Sequence, residues 1–196
     1  PSDLGAKVST KIVLIKKLLE KCDNMILGGG ILNTFLKAKG YEVGASLLEE
    51  NFIQEARAIV ESDSKNKILF PSDLSCQTKR GTANIDVSSI SKNDVIYDIG
   101  SDSIDMIKNT VKESSSIFWN GPLGYVEKKP FNRGTEELAK SIAEHNCFSI
   151  VGGGDTLPII ETLNLQDNYD CLSTGGGSLL SYLEGGSLPI LDKLNL

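Results

Sequence analysis

The chain predicts a three-layer α/β fold, with a mostly parallel central sheet and helices on both faces. Short apolar runs alternate with amphipathic helical segments along almost its whole length, and that alternation builds parallel strands joined by crossover helices. Triple glycines stand at 28–30, 152–154 and 175–177, each near the end of an apolar run. In a parallel sheet, ligands collect at those strand ends.

Taken in order, Ser9 to Lys21 carries Ile12, Ile15, Leu18 and Leu19 at helical spacing. This predicts an amphipathic helix with Ser9 or Thr10 near its cap and Lys7 and Lys11 at its start. Met25 to Leu27 is a strand running into Gly28-Gly29-Gly30, after which Ile31, Thr34, Phe35 and Ala38 mark a helix closed by Gly40. A helix over Leu48 to Val60 and a strand over Lys67 to Phe70, stopped by Pro71, come next. Then follow a strand over Val95 to Asp98 and a helix from about Ser103 to Lys112. The polar stretches Ser62 to Asn66 and Gln77 to Asn84 read as surface loops.

Ile117 to Trp119 is a strand opening the loop Asn120 to Glu127, with Trp119 expected in the core. A helix spans Thr135 to Glu144, a strand Phe148 to Val151, and a helix Thr156 to Leu163. Tyr169 to Leu172 is the last strand, followed by Thr174-Gly175-Gly176-Gly177 and a helix over Ser178 to Glu184.

Val151-Gly152-Gly153-Gly154-Asp155-Thr156 is the chemical centre of this pattern. Glycines let the backbone approach a bulky anion, and free N–H groups at a helix start point at it. A carboxylate there repels phosphate unless a divalent metal lies between them. Asp155 therefore has two readings, a metal-associated carboxylate or a plain helix N-cap backed by Pro158 in the first turn.

A net charge of −6 and a pI near 4.9 argue against nucleic acid or an anionic membrane as partner, since both reward clustered Lys and Arg. No apolar run approaches a membrane span, and Pro1-Ser2-Asp3-Leu4 lacks the features of a secretory signal, so a cytoplasmic protein is expected. Cys22, Cys76, Cys147 and Cys171 form no C-x-x-C pair, and His145 is the single histidine, so reduced thiols are expected and a zinc site is not. The dinucleotide fingerprint G-x-G-x-x-G fails at all three turns, where the sixth position is Asn33, Leu157 or Leu180. No Walker sequence is present, and a dinucleotide oxidoreductase is disfavoured.

Gly5-Ala6-Lys7-Val8-Ser9-Thr10-Lys11, Gly28-Gly29-Gly30 with Thr34-Phe35-Leu36-Lys37-Ala38, Trp119-Asn120-Gly121-Pro122-Leu123-Gly124, Gly152 to Thr156 and Ser173 to Gly177 occur in one order along the chain. That order resembles the phosphoglycerate kinase family, as do Leu183-Glu184-Gly185 and Leu188-Pro189 near the end. The resemblance implies a Rossmann-like fold. It also implies that residues 1–196 are the C-terminal, nucleotide-binding domain of a two-domain enzyme, the N-terminal phosphoglycerate-binding domain being absent. The implied reaction is reversible transfer of the acyl phosphate of 1,3-bisphosphoglycerate to MgADP, giving ATP and 3-phosphoglycerate in glycolysis. The implied organisation is monomeric.

By the same resemblance Lys11 touches the transferring phosphoryl group, Lys7 rearranges as the lobes close, and Gly175 and Gly176 meet the phosphoryl group. Asp155 associates with Mg2+, and Gly152, Gly153, Gly154 and Thr156 serve the phosphates, helped by Asn120. Glu127 accepts from the ribose hydroxyls. The base lies against Gly5, Gly29, Gly30, Leu47, Tyr97, Pro122 and Tyr125. Several positions depart from the family pattern: Pro1 to Leu4 replace an apolar strand, Tyr125 a smaller aliphatic residue, Leu179 and Ser181 the usual Ser and Glu, and Ile190 a Gly. A non-catalytic nucleotide-binding module is the competing reading, and holding Lys7, Lys11, Glu127 and Asp155 together favours the enzyme.

Overall fold

The computed structural model describes residues 8–174, with side chains from Ile12 onward. Gly5, Lys7, Gly175, Gly176 and the helix expected over Ser178 to Glu184 lie outside the described residues, and Lys11 is placed by its backbone alone, in the first turn of helix α1 (Val8–Lys21). Because α1 begins at Val8, Ser9 and Thr10 also fall inside that turn.

Strand β1 (Met25–Ile26) leads through Gly28 into α2 (Gly29–Ala38), and a short 3-10 turn at Glu50–Phe52 leads into α3 (Ile53–Ser62). After β2 (Ile68–Leu69) come β3 (Asp73–Thr78), β4 (Gly81–Asp86), β5 (Val95–Ile99) and α4 (Ser101–Lys112). The rest is β6 (Ser116–Asn120), α5 (Arg133–Glu144), β7 (Phe148–Gly152), α6 (Leu157–Thr162) and β8 (Cys171–Ser173). The fold is α/β, as the alternation predicts. Strand β1 pairs with β2 in parallel, and β6, β7 and β8 form a parallel ladder.

One segment departs from expectation. Gln77 to Asn84 is a hairpin and not a surface loop: β3 and β4 pair antiparallel from Asp73 opposite Asp86 to Thr78 opposite Gly81, and β3 pairs antiparallel with β5 as well. The alternation is present but muted. Gly81, Ala83 and Ile85 are half-buried while Thr82, Asn84 and Asp86 are exposed, and small residues leave little hydrophobic contrast to read. The turn Lys79-Arg80 also lacks the glycine or asparagine that usually announces a two-residue hairpin loop.

Among the described residues one apolar cluster joins the helices to the strands. Helix α2 contributes Leu32, Phe35 and Leu36, α3 Ala56 and Ile59, α4 Ile104 and Ile107, and α5 Leu138 and Ile142. These meet Leu74, Ile96, Ile99 and Val151 of the strands. The regular spacing of such residues along each helix places one face in this core. Trp119 is buried as expected, and its indole N–H donates to the Gly121 carbonyl at 2.7 Å. The four cysteines are free, with Cys76 buried, where loss of water pushes its thiol up to about 12. Among the described residues no helix is long and apolar enough to cross a membrane.

Candidate nucleotide site

Parallel pairing sets Asn120 opposite Gly152, so the loops that leave β6 and β7 start side by side. Two hydrogen bonds lock them together. The Asn120 side-chain amide donates to the Gly152 carbonyl at 2.8 Å, and the Gly121 N–H donates to the Thr156 hydroxyl at 3.0 Å. Gly153 turns the chain at φ +114°, a left-handed conformation that a side chain would resist. The turn closes as the Thr156 and Leu157 N–H groups donate back to the Gly153 carbonyl, at 3.1 and 3.4 Å. Gly154 and Asp155 remain exposed at its crest.

This geometry corrects one expectation. The N-cap position of α6 belongs to Thr156, so Asp155 is not the helix cap. Thr156 itself is fully buried, its hydroxyl accepting from the Gly121 N–H and its own N–H donating to the Gly153 carbonyl, so it holds the two loops in register.

The loop after β6 then reaches the β1–α2 turn. A Cβ on Gly28 would lie 2.7 Å from the Leu123 Cα and 2.9 Å from the Pro122 carbonyl oxygen, so this close approach requires glycine. The Gly29 N–H donates to the Leu123 carbonyl at 2.9 Å, and the Leu123 N–H donates to the Thr135 hydroxyl at 3.0 Å, tying the loop to α5 as well. Further along, the Tyr125 N–H donates to the Tyr97 carbonyl at 2.7 Å, and the two rings lie 5.5 Å apart between centroids. Tyr97 also packs on Phe131 at 4.9 Å, with the Lys128 ammonium 4.7 Å from its ring centre. Leu47 stands beside Gly30 and is 56% exposed. Glu127 is exposed on the same loop.

The structure therefore groups the expected residues at two ends of one loop. Asn120 and Gly152 to Thr156 form the first cluster. Gly29, Gly30 and Leu47 gather where that loop meets the β1–α2 turn, with Pro122 at the contact and Tyr97 and Tyr125 in tilted ring contact a few residues on. Three residues that the sequence did not single out carry the framework. Thr135 anchors the loop, Asn33 anchors the segment bearing Leu47, and Asp98 accepts from the Gly134 and Ile99 N–H groups at 2.7 and 2.9 Å. Asn33 and Asp98 signal themselves in the sequence only as polar residues beside apolar ones, and Thr135, between Gly134 and Glu136, gives no such signal. Burial pushes the Asp98 carboxyl up from its ordinary value to about 7, although both N–H donors and Arg133 pull it the other way.

Among the described residues no group of three or more His, Cys, Asp or Glu could hold a metal unaided. A lone exposed Asp155 beside a glycine turn fits Mg2+, which takes one or two carboxylates and draws its other ligands from phosphate and water.

Comparison with known proteins returns one consistent family. The family model of phosphoglycerate kinase matches residues 4–186. The chain is 44% identical to a phosphoglycerate kinase of Baumannia cicadellinicola over 97% of its own length and 49% of that protein's, and 42% identical to one of Dictyoglomus turgidum over 94% and 48%. Among solved structures, a phosphoglycerate kinase from Coxiella burnetii superposes with a TM-score of 0.91 at 37% identity, covering 97% of this chain and 51% of that one. One from Pyrococcus horikoshii superposes at 0.83 with 28% identity, over 97% and 50%. The chain spans about half the length of the curated relatives it matches.

Proposed function

The chain belongs to the phosphoglycerate kinase family, and from that premise we propose that it supplies the nucleotide-binding half of a glycolytic kinase. The whole enzyme would move the acyl phosphate of 1,3-bisphosphoglycerate to MgADP, yielding ATP and 3-phosphoglycerate, with the phosphoglycerate held by a second lobe. The observation that carries the reading is the pair of cross-loop bonds, Asn120 to Gly152 and Gly121 to Thr156, which preorganise a glycine turn at the carboxyl ends of two parallel strands.

In this reading the residues divide the nucleotide between them. Gly152, Gly153 and Gly154 let backbone approach the phosphates. Gly29, Gly30, Leu47, Tyr97, Pro122 and Tyr125 enclose the base, and Glu127 accepts from the ribose hydroxyls. Asp155 would hold the magnesium, whose charge neutralises the phosphates when it is bound. Lys11, at the start of α1, and Lys7, Gly5, Gly175 and Gly176, beyond the described residues, keep the roles that family membership suggests. A cytoplasmic monomer belongs to the same proposal. Phosphoryl transfer depends on positioning and charge neutralisation more than on covalent chemistry, and loops fixed to one another with cationic side chains suit it.

Titration calorimetry with ADP tests the reading. Saturable binding that requires magnesium, and that weakens by about tenfold or more in Asp155→Ala, is expected. A folded chain that binds no ADP, or an Asp155→Ala variant that binds as tightly as the parent, would sink it.

A further inference from the structure

Helix α2 brings two polar residues onto its buried face, Asn33 (3% exposed) and Thr34 (fully buried). Neither is where helix propensity or packing would put a polar side chain. Both reach the same neighbouring segment. The Asn33 amide donates to the Leu47 carbonyl at 2.9 Å. The Thr34 hydroxyl accepts from the Glu49 N–H at 3.1 Å while donating to the Gly30 carbonyl at 2.9 Å, which closes a circuit back to the first turn of α2.

The other side of the segment is tied to β5. The Ser46 hydroxyl, itself donating to Val43, accepts from the Ile96 N–H at 2.8 Å, and the Ala45 N–H donates to the Asp94 carbonyl at 2.9 Å. Leu47 lies between these two sets of anchors, and a Cβ on Gly30 would sit 3.8 Å from the Leu47 Cδ2. Hence the turn of α2 that presents Gly29 and Gly30 is continuous with the one that holds Leu47 opposite them.

The Asn33 carbonyl oxygen is buried with no hydrogen-bond partner. Turning the amide over would not help, because the oxygen would then face the Leu47 carbonyl and the NH2 group would be orphaned. A buried acceptor without a partner costs stability. An apolar side chain of similar shape would avoid that cost, so Asn33 is a poor choice for stability alone and a sound one for fixing Leu47.

We propose that Asn33 and Thr34 are positioning residues of the base slot, holding Leu47 at a set distance from Gly30 so that a flat nucleobase meets a preformed wall. This rests on the nucleotide reading above. Preorganisation of this kind lowers the ordering cost of binding, and it acts only on ligands that carry the base.

The test compares ADP with inorganic pyrophosphate, both with magnesium, on the full 196-residue chain and on Asn33→Leu and Thr34→Val. Asn33→Leu keeps the branched shape and removes both polar atoms; Thr34→Val removes the hydroxyl at constant shape. ADP affinity is expected to fall roughly five- to tenfold in each variant while pyrophosphate affinity stays at the parent value. Melting of Asn33→Leu should be unchanged or raised. If Asn33→Leu does not fold, Thr34→Val carries the same comparison. Parent-like ADP binding in the folded variants overturns the proposal, and so does an equal loss for both ligands, which a general structural role would produce. A parent chain that binds no ADP overturns the nucleotide reading itself and this inference with it.

Discussion

Asp98 shows how a single residue records the demands of its surroundings. It is 2% exposed at the end of β5, with α5 supplying one N–H donor and the nearby charge of Arg133. Burial outweighs those favourable contacts and raises its carboxyl from 3.8 to about 7. A carboxyl raised on folding holds its proton more tightly in the native state. Its contribution to stability is therefore complete below the unfolded value, near pH 4, and is lost as the pH climbs through about 7. Melting the parent and Asp98→Asn side by side from pH 4 to 8 should show the parent losing a few kcal/mol relative to the variant, at about 1.4 kcal/mol for each tenfold change in proton affinity. Parallel curves would mean that the carboxyl is ionised throughout. In the sequence, Asp98 is one more acid at a strand end, because nothing local states that Gly124 and Gly134 close over it.

Among the elements, α4 illustrates a cap that comes from far away in the chain. Its N-cap residue, Gly100, has no side chain to offer. Instead Asp73 of β3 reaches across, accepting from the Ser103 and Asp102 N–H groups at 2.8 and 3.2 Å, with the Ser103 hydroxyl also donating at 2.7 Å. A negative side chain at a helix start is favoured by both the unpaired N–H groups and the dipole. Asp73→Ala should cost about 2–3 kcal/mol in urea denaturation, since it removes the cap and strands buried donors. A loss under about 0.5 kcal/mol would mean that water replaces the cap at little cost. Helix α4 itself is legible from its apolar spacing, with its start near Ser103. Its cap is not, since Asp73 and Ser103 are thirty positions apart and only the fold brings them together.

For the molecule entire, the span of about half of each relative sets the expectation for activity. The chain alone should bind MgADP yet show no transfer from an acyl phosphate donor in a coupled assay; measurable turnover by these 196 residues would mean that they also hold the phosphoglycerate. The alternation of parallel strands with helices outside the β3–β4 hairpin, the turn at Gly152 to Asp155, the core role of Trp119 and the family can be read along the chain, because periodicity and short motifs are local properties of it. Other features exist only once the chain has folded: Gln77 to Asn84 pairs as a hairpin, Thr156 is enclosed between two loops, and Asn33 and Thr34 bond the segment from Leu47 to Glu49. Each of those depends on a hydrogen bond or ladder between segments that are apart in sequence, and such a pairing leaves no period along the chain from which it can be read.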